Sequence, residues 1–164
     1  MARRRIFLLV LLALIGVAAS GSASAMGKEE ANKMLEDVKK SVPSSPNIID
    51  IFTNNLRVAL LMLIPGLGLI LAPYVLYNTG LVFAATGVVN GVPGLMLLLA
   101  TAILPFFWLE FVAYATSTTQ NLYLIWAIKS KTLRYELRNL GYSLLMIVLL
   151  LLLGAWIETL FLSS

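Results

Sequence analysis

From Asn78 to Ile128 the chain carries no lysine or arginine and only one formal charge, Glu110. A soluble domain keeps roughly a quarter of its residues charged, so a stretch like this has no surface on which to end. A bilayer accommodates it, because a helix crosses the hydrocarbon core in about 20 apolar residues. The stretch is too long for one crossing, so it crosses twice, or crosses once and re-enters. Composition agrees: 60% of the 164 residues are hydrophobic and 12% charged, and mean hydropathy is +0.91. The expected fold is an all-α polytopic transmembrane bundle of about five helices, some kinked or discontinuous, or four if an N-terminal leader is removed.

The chain has no cysteine and no histidine. That excludes disulfides, thiolate chemistry, most zinc and haem sites and the usual general base near neutral pH. No nucleophile and base pair, P-loop lysine or dinucleotide fingerprint stands out. The expectation is a protein that is not an enzyme and uses no cofactor or metal. Its basic residues cluster beside apolar runs without interleaved aromatics, a pattern of membrane topology and not of nucleic-acid binding.

Arg3, Arg4 and Arg5 precede an apolar run from Ile6 to Ser20, followed by small residues with Ala23 and Ala25 spaced as a cleavage site. Residues 1–25 are therefore a signal peptide or a retained signal anchor; the shortness of the apolar run favours removal. Residues 26–50 form an extracytoplasmic amphipathic segment, with Ala31, Met34, Leu35 and Val38 at helical spacing between Lys28 and Val42. Such a helix lies on the membrane or its own bundle, or docks a partner. The stretch Val42-Pro43-Ser44-Ser45-Pro46-Asn47 ends it.

Residues 51–164 form the membrane bundle. A span counted from Leu56 to near Tyr77 contains Pro65, Gly66, Gly68 and Pro73, which mark kinks and close helix approach. Beyond Asn78 the outer turn falls either at Asn90-Gly91-Val92-Pro93-Gly94 or at Leu104-Pro105. The second leaves a discontinuous crossing ending at Leu104 and helices of workable length on both sides. The basic stretch Lys129–Arg138 reads as a cytoplasmic loop, and Leu140 to about Leu162 as the last span. This places a multi-pass protein in the cell membrane, with its N-terminus cytoplasmic and residues 26–50 and the C-terminus extracytoplasmic.

A charge inside hydrocarbon costs about 2.5 to 3.5 kcal/mol on insertion scales, so the few polar residues in the spans are the candidate site. Arg57 begins one span and Glu158 ends another on the same side, which suggests an interhelical ion pair, or two side chains that snorkel separately. Glu110 lies six residues past Leu104-Pro105. If Pro105 opens its helix, the helix dipole favours the carboxylate; if the helix opens at Pro93, Glu110 sits mid-membrane as a proton or cation site. Thr116, Thr119, Gln120 and Asn121 lie in a polar run that either bonds between helices or forms a polar path.

Four elements in order resemble the stage II sporulation protein M family. Ile51 to Leu61, containing Asn54 and Asn55, resembles the asparagine-pair helix that opens its membrane region, and Tyr77-Asn78-Thr79-Gly80 its asparagine-glycine element. Leu104 to Ala113 resembles its leucine-proline-histidine-glycine motif with a following glutamate, and Ala155 to Phe161 its closing helix. Phe106 and Phe107 stand where the family has histidine and glycine, so a role needing that histidine does not carry over. The resemblance implies a multi-helix membrane protein and raises Asn54, Asn55, Glu110 and Glu158 as a shared polar set beside Arg57. In spore formers the family's namesake organises peptidoglycan-degrading partners. Two functions are expected from these readings: a non-enzymatic scaffold or accessory subunit of a membrane complex, or a small transporter or channel using Glu110 and the run at 116–121. The partners are the lipid bilayer and other membrane proteins, or further copies of this chain.

Overall fold

The computed structural model describes residues 2–41 and 46–162. Within them lie seven α-helices and no strand: α1 Ala2–Ser22, α2 Lys28–Ser41, α3 Ile48–Leu63, α4 Leu67–Asn90, α5 Gly94–Thr101, α6 Pro105–Ser130 and α7 Leu133–Leu162. The all-α bundle expected from the charge pattern is what forms. α1, α4 and α7 are each long and apolar enough to cross a membrane, and α5 with α6 passes the same test as a pair bent by 92°, the geometry of a broken span or a re-entrant loop. The 16 residues of α3 reach about 24 Å at 1.5 Å per residue.

Local chemistry explains most of the boundaries. In α2, Glu29 and Glu30 lie in the first turn and Lys39 and Lys40 in the last, complementing the helix dipole at both ends. The apolar stripe is turned inward: Ala31 is fully buried, Met34, Leu35 and Val38 are half-buried, and α2 packs on α4. Of the residues expected to end this helix, Val42, Pro43, Ser44 and Ser45 lie outside the described residues. α3 opens with a capping box. The Asn47 side chain accepts from the backbone of Ile49 at 2.8 Å and Asp50 at 3.1 Å, and Asp50 accepts from the Asn47 backbone at 3.1 Å.

The span expected from Leu56 to Tyr77 is not one kinked helix. α3 stops at Leu63 and α4 starts at Leu67, running through Asn78 to Asn90. Pro65 lacks the N–H that would continue the ladder, and Gly66 sits at φ +82°, a conformation side-chained residues rarely adopt. Both later breaks are also used. α4 ends at Asn90 with Gly91 in the left-handed region, and the short α5 follows instead of a crossing that reaches Leu104. The expected turn at Leu104-Pro105 does open the next long helix, with Pro105 in its first turn. The Trp108 indole N–H donates to the Ala102 carbonyl at 2.7 Å and pins that corner. At the other end, much of the basic stretch read as a loop is helical, because Lys131, at φ 58°, and Thr132 suffice for the turn and α7 begins at Leu133.

α6 and α7 run antiparallel and α3 runs parallel to α6. α1 lies against α4 and α6. Where α1 crosses α4, Gly21 and Gly80 face each other so closely that a Cβ on Gly80 would meet Ala18 and Ser22 backbone and lie 2.8 Å from the Gly21 Cα. Small residues allow this approach, and dispersion over the crossing is the gain, since lipid offers no hydrophobic drive between helices. Leu14, Met62, Leu76, Phe107, Phe111, Ile147 and Leu151 meet in the core. Leu9, Leu12, Ile70, Leu149 and Leu153 remain outside, the surface a bilayer covers.

Candidate functional site

Polar side chains gather at two levels of the bundle. At the first, α3, α6 and α7 bring together Asn55, Glu110 and Glu158. Because α6 opens at Pro105, Glu110 lies in its early turns and not in mid-helix. Asn55 Nδ2 donates to Glu110 Oε1 at 2.5 Å, Asn54 Nδ2 reaches Asn55 Oδ1 at 3.5 Å, and Glu158 faces the same cavity as Glu110. These residues line a cavity of about 250 Å³ together with Asp50, Ile51, Ser41 and Pro46. Gly154, one turn before Glu158, lies beside Leu109 and Glu110 at this helix crossing.

Arg57 does not join this cluster. It lines a separate groove with Thr53, Leu56, Leu60, Leu61 and Ile64, and among the described residues no ion pair links it to Glu158. Helix phase gives the reason: at 3.6 residues per turn, Arg57 points about 200° around the axis from Asn55.

At the second level, the run on α6 divides by face. Gln120 Nε2 donates to Glu136 Oε1 at 2.9 Å, and Gln120 Oε1 accepts from Ser143 Oγ at 2.9 Å and from Arg3 at 2.7 Å. Arg3 forms an ion pair with Glu136, and its guanidinium stacks 4.3 Å from the centre of the Tyr123 ring. Asn139 completes the shell at 3.3 Å from Glu136 Oε2. Asn121 faces the other way, donating to the carbonyls of Met62 at 2.8 Å and Ile64 at 2.5 Å and accepting from the Gly66 N–H at 3.4 Å. Thr116 donates within its own helix to Val112 at 2.7 Å. The hydroxyls of Ser117, Thr118 and Thr119 are buried without a hydrogen-bond partner among the described residues.

Sequence reasoning did not bring out Arg3 and Glu136. Arg3 read as part of a basic leader and Glu136 as the one acid of a basic loop. The signal was present in the spacing, since Glu136, Asn139 and Ser143 share one helical face at i, i+3 and i+7. The two levels are not continuous: Glu110 and Gln120 are ten positions apart on α6, about 15 Å, and the side chains between them include the buried Ala113, Tyr114 and Ala115. Glu110 and Glu158 offer carboxylate oxygens to a cation, but no group of three possible metal ligands converges among the described residues.

Apolar helices that leave leucine-rich faces outside and bond their few polar groups to one another define a polytopic membrane protein. A family model described as Stage II sporulation protein M matches residues 5–163, nearly the whole chain. The chain belongs to the stage II sporulation protein M family, and the match takes in α1 and α2 as well as the membrane region from Ile51. Neither a curated protein nor a solved structure matches it.

Proposed function

We propose that this chain is a non-enzymatic scaffold or accessory subunit of a membrane complex, presenting α2 to a partner protein. The observation that carries this reading is the face of α2. Its apolar stripe rests on α4, while Lys28, Glu29, Glu30, Lys33, Glu36, Asp37, Lys39 and Lys40 are all exposed. A mixed-charge face held on a membrane-embedded bundle fixes the register of a protein partner. Inside the bundle, Asn55, Gln120 and Asn121 are engaged in contacts between helices, an arrangement suited to holding a shape.

The positive-inside rule supports the topology that goes with this. Arg3, Arg4, Arg5, Lys129, Lys131, Arg134 and Arg138 lie at the ends of α1, α6 and α7 that meet around Glu136, so this end faces the cytoplasm. α2 and the end of α7 are then extracytoplasmic. The packing of α1 against α4 and α6 supports a retained anchor.

The test is cross-linking in native membranes followed by mass spectrometry. Wild type is expected to capture a recurrent partner or a second copy through α2, and reversal of Lys33, Lys39 and Lys40 to glutamate to abolish that capture. A chain that always runs alone removes the scaffold reading. The cavity at Glu110 favours a second reading, a small transporter or channel, for which liposome flux that is present in wild type and lost in Glu110→Gln is the required result.

A further inference from the structure

A groove of about 350 Å³ opens between α1, α6 and α7 at the basic end, beside the Gln120–Glu136 network. Its chemistry changes from one side to the other. Arg3 and Arg4 stand at one side, and Phe7 and Met146 supply apolar wall. Arg3 is matched by Glu136. Arg4 is exposed and, among the described residues, has no ion pair or hydrogen bond, so the groove keeps one uncompensated positive charge. Thr116 and Thr119 also line the groove.

An occupant that fits must bring an anion to Arg4 and an apolar chain to Phe7 and Met146, at the depth where the first turn of α1 enters the membrane. We infer that this groove binds one anionic phospholipid, with the headgroup phosphate at Arg4 and an acyl chain along Phe7 and Met146. Arg3 lines the same groove and keeps unused N–H groups for that phosphate, since an arginine has five donors and the contacts to Glu136 and Gln120 involve Nη2 alone. Basic pockets between transmembrane helices at the cytoplasmic face recognise lipid in this way. Free phosphate shares the charge but gains nothing from Phe7 and Met146, so the apolar wall selects the lipid.

The experiment is native mass spectrometry of the full chain released from detergent after incubation with equal amounts of phosphatidylglycerol and phosphatidylcholine. Wild type is expected to retain phosphatidylglycerol about five-fold over phosphatidylcholine, the value of roughly one interfacial cation. Arg4→Gln should remove most of that preference, while Lys131→Gln, an exposed cation at the same end, should leave it in place. Arg4 has no partner in the bundle, so its substitution does not threaten folding; an unchanged melting temperature in detergent checks this. Equal retention of the two lipids overturns the inference, as does an undiminished preference in Arg4→Gln. An equal loss in Lys131→Gln overturns it too, by showing a diffuse surface charge effect. Complete displacement by millimolar inorganic phosphate would show an anion site without lipid selection and would also overturn it.

Discussion

Asn121 of α6 donates its amide to the carbonyl of Ile64 at 2.5 Å, at the point where α3 ends and the chain turns back into α4. The same amide holds the Met62 carbonyl at 2.8 Å. At the break the Gly66 N–H turns to Asn121 and leaves the Met62 carbonyl without its helical partner, and in a membrane such a group has no water to turn to. One fully buried side chain on a distant helix supplies the partner the Met62 carbonyl lacks, and joins the Gly68 N–H on the Ile64 carbonyl.

Replacing Asn121 with leucine is therefore expected to destabilise the bundle by about 1–3 kcal/mol, the cost of stranding the Met62 carbonyl and the Gly66 N–H. Asn121→Asp keeps the shape but loses both donors, and should be at least as harmful. Equilibrium unfolding in mixed micelles measures both. A loss below a few tenths of a kcal/mol would show that water or lipid headgroups reach the break.

The glycines give predictions of opposite sign. At Gly80 a Cβ runs into the backbone of α1, whereas at Gly141, within α7, it meets nothing within 4 Å. Gly80→Val should separate α1 from α4, lowering the melting temperature and exposing α1 to proteolysis. Gly141→Ala should stabilise by about 0.5–1 kcal/mol, the usual gain from removing a mid-helix glycine. Both substitutions shifting stability in the same direction would count against the close crossing.

Arg57 shows how far the sequence could be read. Its charge near the head of a span suggested a partner in Glu158, but the partner depends on helix phase, and Asn55 and Arg57 diverge on α3 while only Asn55 meets Glu110. Arg57→Gln is accordingly expected to change stability by less than about 0.5 kcal/mol, as for surface sites without a special contact, whereas Asn55→Ala should cost about 1 kcal/mol or more. Comparable losses in the same micelle assay would restore Arg57 to the cluster.

The stretch without lysine or arginine, the amphipathic stripe of α2 and the proline that opens α6 were legible because each follows from local composition, periodicity and backbone chemistry. The break at Ile64–Gly66 was not. A proline in a membrane helix either kinks or ends it, and the capping side chain that accompanies the ending, Asn121, is 57 positions from Ile64 in sequence. Glu136 was hidden for a related reason: its partners Arg3 and Gln120 come from two other helices, so its burial has no sequence signature beyond the face shared with Asn139 and Ser143.

Arg3 and Glu136 also bear on the fate of the N-terminus. A leader destined for removal has no reason to place its first arginine against a carboxylate that is buried in the remaining chain, yet Glu136 is 6% exposed and Arg3 is its only cationic partner among the described residues. Removing α1 would leave that carboxylate with the amides of Gln120 and Asn139 alone, and an unpaired buried charge is costly. The mature protein is expected to retain α1, so intact-mass measurement on membrane-extracted protein should give a chain that includes residues 2–25. A mass corresponding to a start at Met26 would sink this prediction. A double-mutant cycle checks the coupling itself: Arg3→Gln and Glu136→Gln together should be less damaging than the sum of the two alone. With the Arg3 side chain 40% exposed, solvent screening keeps the coupling near 1 kcal/mol. Additive effects would mean that α1 packs through its glycine contact with α4 and gains nothing from the ion pair.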